Sequence, residues 1–297
     1  MLLQVDGSPH AWLEERGPKL ALMAAIDDAC GTILHAEFRP TEDQAGYLRM
    51  FRAIATQHGL PMAVYHDRHT ILRSPKEPTL ADELAGRPPM SQVQRLLAEL
   101  GIASITAHSP QAKGRIERLW RTLQDRLLKE LRLAGVTTAG EANAFLPGFI
   151  ARFNARFGQP PADPADAWVP IDAGLDLAYY FAARHPRTAR RDHTVAWDGQ
   201  LYQIRPTALD RPLVGRSINV HVLPEGTICL YDGPRPLAFH ACAAPPAELP
   251  RPLPPAKKTP SVPTPRPAAT ARQRTWLFGQ SAGPPRTPAH AGAGHVP

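Results

Sequence analysis

Three acidic residues occupy places from which a carboxylate can work: Asp6 ends the apolar run Leu2-Leu3-Gln4-Val5, Asp67 follows the run at 61–65 and His66, and Glu117 lies two turns into a long helical pattern. Carboxylates gathered at one spot hold hard divalent cations, which prefer oxygen ligands and keep several waters. Two such ions about 3.5–4 Å apart stabilise the attacking and the leaving oxygen of a phosphodiester together, so three convergent acids suffice for phosphoryl transfer. Taken singly, each acid has an ordinary explanation. Aspartate commonly ends a strand, and Glu117 has Lys113 and Arg121 at helical spacing for an ion pair.

The elements that must position these acids follow from the hydrophobic pattern. The first run predicts a short buried strand ending at Asp6, with a turn at Gly7-Ser8. Residues 19–26 and 32–38 read as two strands separated by the hairpin punctuation Asp27-Asp28-Ala29-Cys30-Gly31. Ala45, Leu48, Phe51, Ile54 and Ala55 recur at helical spacing and Gly59 follows as a C-cap, which predicts a helix over 42–58. A brief strand over 61–65 then leads into Asp67. The stretch 73–90 reads as a polar loop, 93–100 as a helix and 102–107 as a strand. Ser109-Pro110 is an N-cap followed by proline at the first helical position, opening a helix to about 133 whose apolar stripe runs from Ile116 to Leu131. A second long helix is expected over 139–157, and a short helical stretch near 175–183. Runs at 194–197, 201–204, 218–223, 227–231 and 237–240, with turns at Asp198-Gly199 and Glu225-Gly226, predict a small β-barrel.

Parallel neighbouring strands ending in Asp6 and Asp67 would share one site, because open α/β sheets bind ligands at the carboxyl ends of their strands. Glu117 sits at the margin of its helix's apolar stripe, from where it reaches the sheet edge. Asp27 and Asp28 belong to a hairpin and are assigned to the turn. His10, His66 and His69 flank the acids without metal-pair spacing, and each reads first as a surface or core histidine. Lys113 and Arg115 stand on the catalytic helix near its start and are candidate phosphate contacts. Trp120 and Trp197 read as core residues. Arg187, Arg190 and Arg191 form a basic cluster ahead of the barrel and are further candidates for DNA contact.

The blocks at 4–38 (QVDGSPHAWLEERGPKLALMAAIDDACGTILHAEF), 65–72 (YHDRHTIL) and 105–127 (ITAHSPQAKGRIERLWRTLQDRL) resemble the integrase core of DDE-type insertion-sequence transposases of the ISNCY-type group. The resemblance implies an RNase H-like α/β fold, a mixed five-stranded sheet flanked by helices, followed by a small β-barrel-like domain and a disordered tail. It matches Asp6, Asp67 and Glu117 to the catalytic and metal-binding triad, and Ser109, Pro110, Gln111, Lys113 and Gly114 to the motif leading to the glutamate. With them come Gln111, Lys113 and Arg115 as DNA contacts and two Mg2+ ions, Mn2+ being the alternative. The implied partners are the double-stranded DNA of transposon ends and target, bound by a homo-oligomer. Relatives also carry an N-terminal helix-turn-helix. Here the first acid comes five positions after Met1, which predicts a chain lacking that region.

The division expected is a catalytic core over 1–158, a linker with a short helix over 159–186, a small β-rich, SH3-like domain over 187–244 and a Pro-rich basic tail over 245–297. The tail holds 14 of the 34 prolines and seven Lys or Arg against a single acid, so it carries six of the net seven positive charges. Such composition cannot bury a core. Three scattered cysteines exclude a disulfide framework and a zinc site, and no apolar run approaches the ~18 residues needed to span a bilayer. The expectation is a cytoplasmic protein with no membrane partner. Three functions stay open: a metal-dependent strand-transfer enzyme; a truncated, non-catalytic DNA-binding or oligomerisation fragment that modulates a full-length transposase; and, disfavoured by the block from Ser109 to Glu117, a stand-alone RNase H-like nuclease acting on structured nucleic acid.

Overall fold

Strand β1 (Leu2–His10) is followed by β2 (Leu20–Asp27) and β3 (Ile33–Arg39), all antiparallel neighbours. Helix α1 (Gln44–His58) leads to β4 (Ala63–His66), and α2 (Leu80–Leu84) and α3 (Gln92–Glu99) to β5 (Ala103–Thr106). Strands β4 and β5 run parallel to β1, giving a mixed five-stranded sheet of order β3-β2-β1-β4-β5. Helices α4 (Gly114–Leu133) and α5 (Ala139–Phe157) complete this part. The order and strand directions are those expected of an RNase H-like core. The computed structural model describes residues 1–84, 86, 89–107, 114–165, 167–205 and 212–243.

Both faces of the sheet are covered, and β2 shows why its sequence carries no polar alternation. Leu20, Leu22, Ala24 and Ile26 pack with the apolar stripes of α4 and α5, while Met23 and Ala25 pack with Leu3, Val5, Val64 and the inner faces of α1 and α3. Local chemistry starts the helices. The Asp43 carboxylate accepts from the Gly46 amide at 2.7 Å, and Ser91 with Gln94 and Thr138 with Glu141 form reciprocal capping boxes.

The outer edge of β3 is covered by two asparagines of α5. Asn143 accepts from the Phe38 amide and donates to the Phe38 carbonyl, at 2.7 and 2.9 Å. Asn154 does the same with Ile33, both bonds at 2.8 Å. Eleven helical residues and five strand residues each span about 16 Å, so both amides meet the strand in register.

Three sequence expectations are corrected. Gly7-Ser8 is not a turn: β1 continues to His10, with Gly7 opposite Met23 and Ser8 opposite Leu22, so Asp6 lies within a strand. The stretch 73–90 includes the short helix α2. The run at 237–240 is two strands, β11 (Arg235–Leu237) and β12 (Phe239–Ala241), which join different sheets.

After α6 (Leu177–Tyr180), the chain forms β6 (Ala183–Thr188), β7 (Thr194–Trp197), β8 (Gln200–Ile204), β9 (Ser217–Val222) and β10 (Ile228–Asp232). They make two antiparallel sheets, β11-β10-β9-β6 and β12-β8-β7, that share a small apolar core around Val195, Ile218, Val220 and Leu230. The β7–β8 hairpin turns on Asp198-Gly199 with φ of 47° and 74°, the left-handed pair a two-residue hairpin requires. These sheets pack against the first part of the chain. Arg184 pairs with Glu99 of α3 at 2.6 and 2.7 Å, and Arg95 donates to the Ala182 carbonyl at 2.7 Å. Among the described residues no helix is long and apolar enough to cross a membrane.

Candidate active site

The parallel ladder between β1 and β4 ends with Gln4 opposite Tyr65. Two residues further along each chain stand Asp6 and Asp67. Strand β4 has stopped by then, while β1 continues against β2 with Asp6 opposite Ala24. Asp6 is thus inside a strand, rather than ending one as the sequence suggests, and Asp67 lies just beyond the end of β4.

Helix α4 lies along β1 in the same direction and is fastened by three hydrogen bonds. The Ile116 amide donates to Gln4 Oε1 at 3.2 Å, Trp120 Nε1 to Asp6 Oδ2 at 2.9 Å, and Gln124 Nε2 to Ser8 Oγ at 3.3 Å. Two strand residues advance about 6.7 Å and four helix residues about 6 Å, so successive polar side chains on one face of β1 meet successive helical turns. Gln4 is itself held by Asp28, which accepts from its Nε2 at 2.6 Å and also pairs with Arg115 at 3.2 Å. Glu117 is three residues before Trp120, on the same flank of the helix, and its side chain is exposed. Among the described residues, no three carboxylate, imidazole or thiol groups converge closely enough to hold one ion.

Asp67 is oriented locally. Its Oδ1 accepts from the His69 amide at 2.9 Å, closing a tight turn directly after β4. The preceding His66 is fully buried, with Nδ1 2.6 Å from the Asp67 carbonyl and Nε2 2.7 Å from Ser104 Oγ of β5. His10 packs edge-on against Trp12. Asp27 serves the hairpin by accepting from the Ala29 amide at 2.7 Å.

A fourth acid, Glu42, stands beside this pair and was not anticipated. It immediately precedes the N-cap of α1, where no periodicity marks it, and its side chain is 14% exposed. The buried Tyr47 hydroxyl donates to Glu42 Oε1 at 2.6 Å, and His69 Nδ1 lies 3.9 Å from the same oxygen. The carboxylate rests on Gly7, where any Cβ would collide with it. Burial pushes the Glu42 carboxyl above its ordinary pKa, the charges of Asp6 and Asp67 add to the rise, and the Tyr47 hydrogen bond and His69 oppose it. Burial likewise holds the Tyr47 phenol well above its usual value, with Glu42, Asp6 and Asp67 contributing. Three carboxyl groups, Asp6, Asp67 and Glu42, thus influence one another electrostatically, and carboxylate oxygens are hard donors. That chemistry suits a hard cation such as Mg2+.

Ser109, Pro110, Gln111 and Lys113 lie outside the described residues. Arg115 is exposed at the start of α4. Arg187, Arg190 and Arg191 are exposed on and after β6, remote in sequence from the acids, and the Arg187 guanidinium stacks over Trp197 at 4.8 Å. Trp120 is buried, as expected, but its indole N–H also serves Asp6.

No family model matches the chain. It is 36% identical over 228 residues to the putative transposase y4bF of Sinorhizobium fredii, an alignment covering 76% of this chain and 49% of that protein. It is 39% identical over 160 residues to the transposase for insertion sequence IS1202 of Streptococcus pneumoniae, covering 53% of this chain and 33% of that protein. The chain thus spans about half or less of the curated relatives it matches. Among solved structures, the catalytic core domain of BIV integrase aligns with 48% of this chain and 78% of its own at 19% identity and a TM-score of 0.35. The HTLV-2 integrase catalytic core domain, solved in complex with magnesium, aligns with 48% and 79% at 15% identity and a TM-score of 0.34. Over three quarters of its length, this chain is similar to a putative transposase.

Proposed function

We propose that the chain carries out metal-dependent phosphodiester cleavage and DNA strand transfer in transposition, with Asp6, Asp67 and Glu117 as the residues that hold the metal. The observation that carries this reading is the placement of Asp6 and Asp67 two residues past the β1–β4 ladder, with Glu117 on the flank of α4 that is bonded to Asp6. Two Mg2+ or Mn2+ ions, when bound, would stabilise the attacking and leaving oxygens of the scissile phosphate. The chain's own residues supply orientation. Trp120 fixes one Asp6 oxygen, the His69 amide fixes one Asp67 oxygen, and Glu117 completes the ligand set from the helix. Arg115, Lys113 and Gln111 contact DNA near the start of α4, and Arg187, Arg190 and Arg191 contact it from the second part of the chain. The DNA bound is that of transposon ends and target, by more than one copy of the chain. In this reading residues 1–158 are the catalytic core, 187–244 a second, DNA-contacting domain and 245–297 a basic tail outside the described residues.

The test is Glu117→Gln. Nicking and joining of a transposon-end duplex in Mg2+ should be abolished while the melting temperature stays unchanged; retained activity would falsify the assignment. A second reading, a non-catalytic DNA-binding or oligomerisation fragment, is favoured by one observation: the Glu117 side chain does not join the aspartates in a three-carboxylate cluster. It predicts salt-sensitive DNA binding with no cleavage in any divalent metal.

A further inference from the structure

Helix α4 has a second flank that the acidic site does not use. Nine residues separate Glu117 from Arg126, a rotation of about 180° around the helix, so Arg126 faces away from Asp6. There α4 and α5 enclose a cleft walled by aromatic rings and guanidinium groups. Arg126 of α4 and Arg156 of α5 both lie over the Phe157 ring, 4.9 and 5.5 Å from its centroid. Two cavities of about 160 and 300 Å³ share Phe153 and Phe157 in their linings. The smaller also takes in Arg126, Arg152, Arg156 and one carboxylate, Glu130, and the larger Arg115 and Arg118. Arg152 reaches Glu130 at 2.6 Å, but among the described residues no carboxylate pairs with Arg118, Arg126 or Arg156.

Bringing like charges together over one ring is unfavourable unless an anion answers them. Stacking fixes the plane of each guanidinium and leaves its N–H edges available, the arrangement that suits bidentate bonds to phosphate oxygens. From Arg118 to Arg126 the helix advances about 12 Å, enough to meet more than one phosphate of a strand rising 3.4 Å per nucleotide. We propose that the α4–α5 cleft is a track for the phosphodiester backbone of duplex DNA, separate from the acidic site on the opposite flank of α4. The inference rests on the transposition reading, in which transposon end and target must lie on one protein together. The cleft holds a DNA segment away from the phosphate undergoing reaction.

The experiment is fluorescence anisotropy of a labelled duplex of arbitrary sequence with the full chain, from about 50 to 200 mM NaCl. Each lost phosphate contact lowers the slope of log affinity against log salt by about 0.9. Arg126→Gln with Arg156→Gln should lower the slope by about 2 and weaken binding at low salt about tenfold or more. Arg126→Lys with Arg156→Lys should keep most of the slope. Arg118→Gln, at an exposed position, should lower it by about 1 and tests the cleft without disturbing the Phe157 stack, in case the double variant fails to fold. The control, Arg52→Gln with Lys76→Gln, removes the same charge elsewhere and should leave the slope unaltered.

An unchanged slope in both cleft variants, or an equal fall in the control, overturns the proposal. So does an unchanged slope accompanied by loss of self-association in sedimentation, which would make the cleft an interface between copies. Failure of the unaltered chain to bind duplex at low salt would instead overturn the DNA reading as a whole. Loss of joining in Glu117→Gln with an intact salt slope separates the two sites.

Discussion

Asp6 and Asp67 lie side by side at the end of one ladder, yet they are held by opposite means. Asp6 belongs to a central strand, paired with β2 and bonded by an indole from α4, so its position depends on the whole sandwich of helix and sheet. Asp67 belongs to a turn closed by its own side chain, steadied by a buried histidine and a β5 serine. One carboxylate is fixed by long-range packing and the other by neighbours in sequence, with Glu42 touching both arrangements. A site built this way can lose one arm while the other stays in place.

The difference is tested most strongly at Trp120. Trp120→Ala removes a buried ring as well as the Asp6 bond and should cost about 3–5 kcal/mol in urea unfolding. Trp120→Phe should keep most of that stability while still lowering the joining rate. A loss confined to the packing, with the joining rate of Trp120→Phe unchanged, would show that Asp6 needs no orienting bond. Next comes Gly7→Ala, which drives a methyl group into the Glu42 carboxylate and should cost about 1–3 kcal/mol. The Gly7→Ala, Glu42→Ala double variant should recover much of it, and strict additivity would mean the two do not press on each other.

Ser104→Ala acts on the local arm alone, at about 1 kcal/mol. Amide exchange should quicken over 67–73 while the protection of β1 stays unchanged; faster exchange in β1 would dissolve the distinction. Smallest is Glu42→Gln. A carboxyl whose folded pKa is raised contributes stability below its ordinary value, about 4.3, and that contribution is lost as pH rises through the raised value. Glutamine should therefore raise the melting temperature at pH 7 and make no difference at pH 4. The reverse order would mean that Glu42 is stabilised as a carboxylate.

Much of the arrangement was legible in the sequence, because its signals were local. The helix Ala139–Phe157 was bounded correctly at both ends, and the Asp198-Gly199 hairpin announced its turn. Strand β1 was cut short because Gly7-Ser8 looks like punctuation, although the polar alternation of Gln4, Asp6 and Ser8 is the period-two face that α4 reads. The glycine answers to Glu42, 35 residues away, which no local rule detects. No strand is expected over 183–188, part of which reads as linker; β6 contains Pro186, and it is at a sheet edge, where a missing amide is tolerated. The candidate acids were found from motif context, whereas Glu42 and the Trp120 bond exist only once the sheet is assembled.

The two asparagines on α5 have a bearing beyond their own helix. An open strand margin is a template on which another polypeptide can add itself, and most sheet proteins must blunt it. Here the primary amides of Asn143 and Asn154 occupy the backbone groups of Phe38 and Ile33, two places on β3 that an incoming strand would seek. Cross-β growth therefore has no foothold at those two positions of β3.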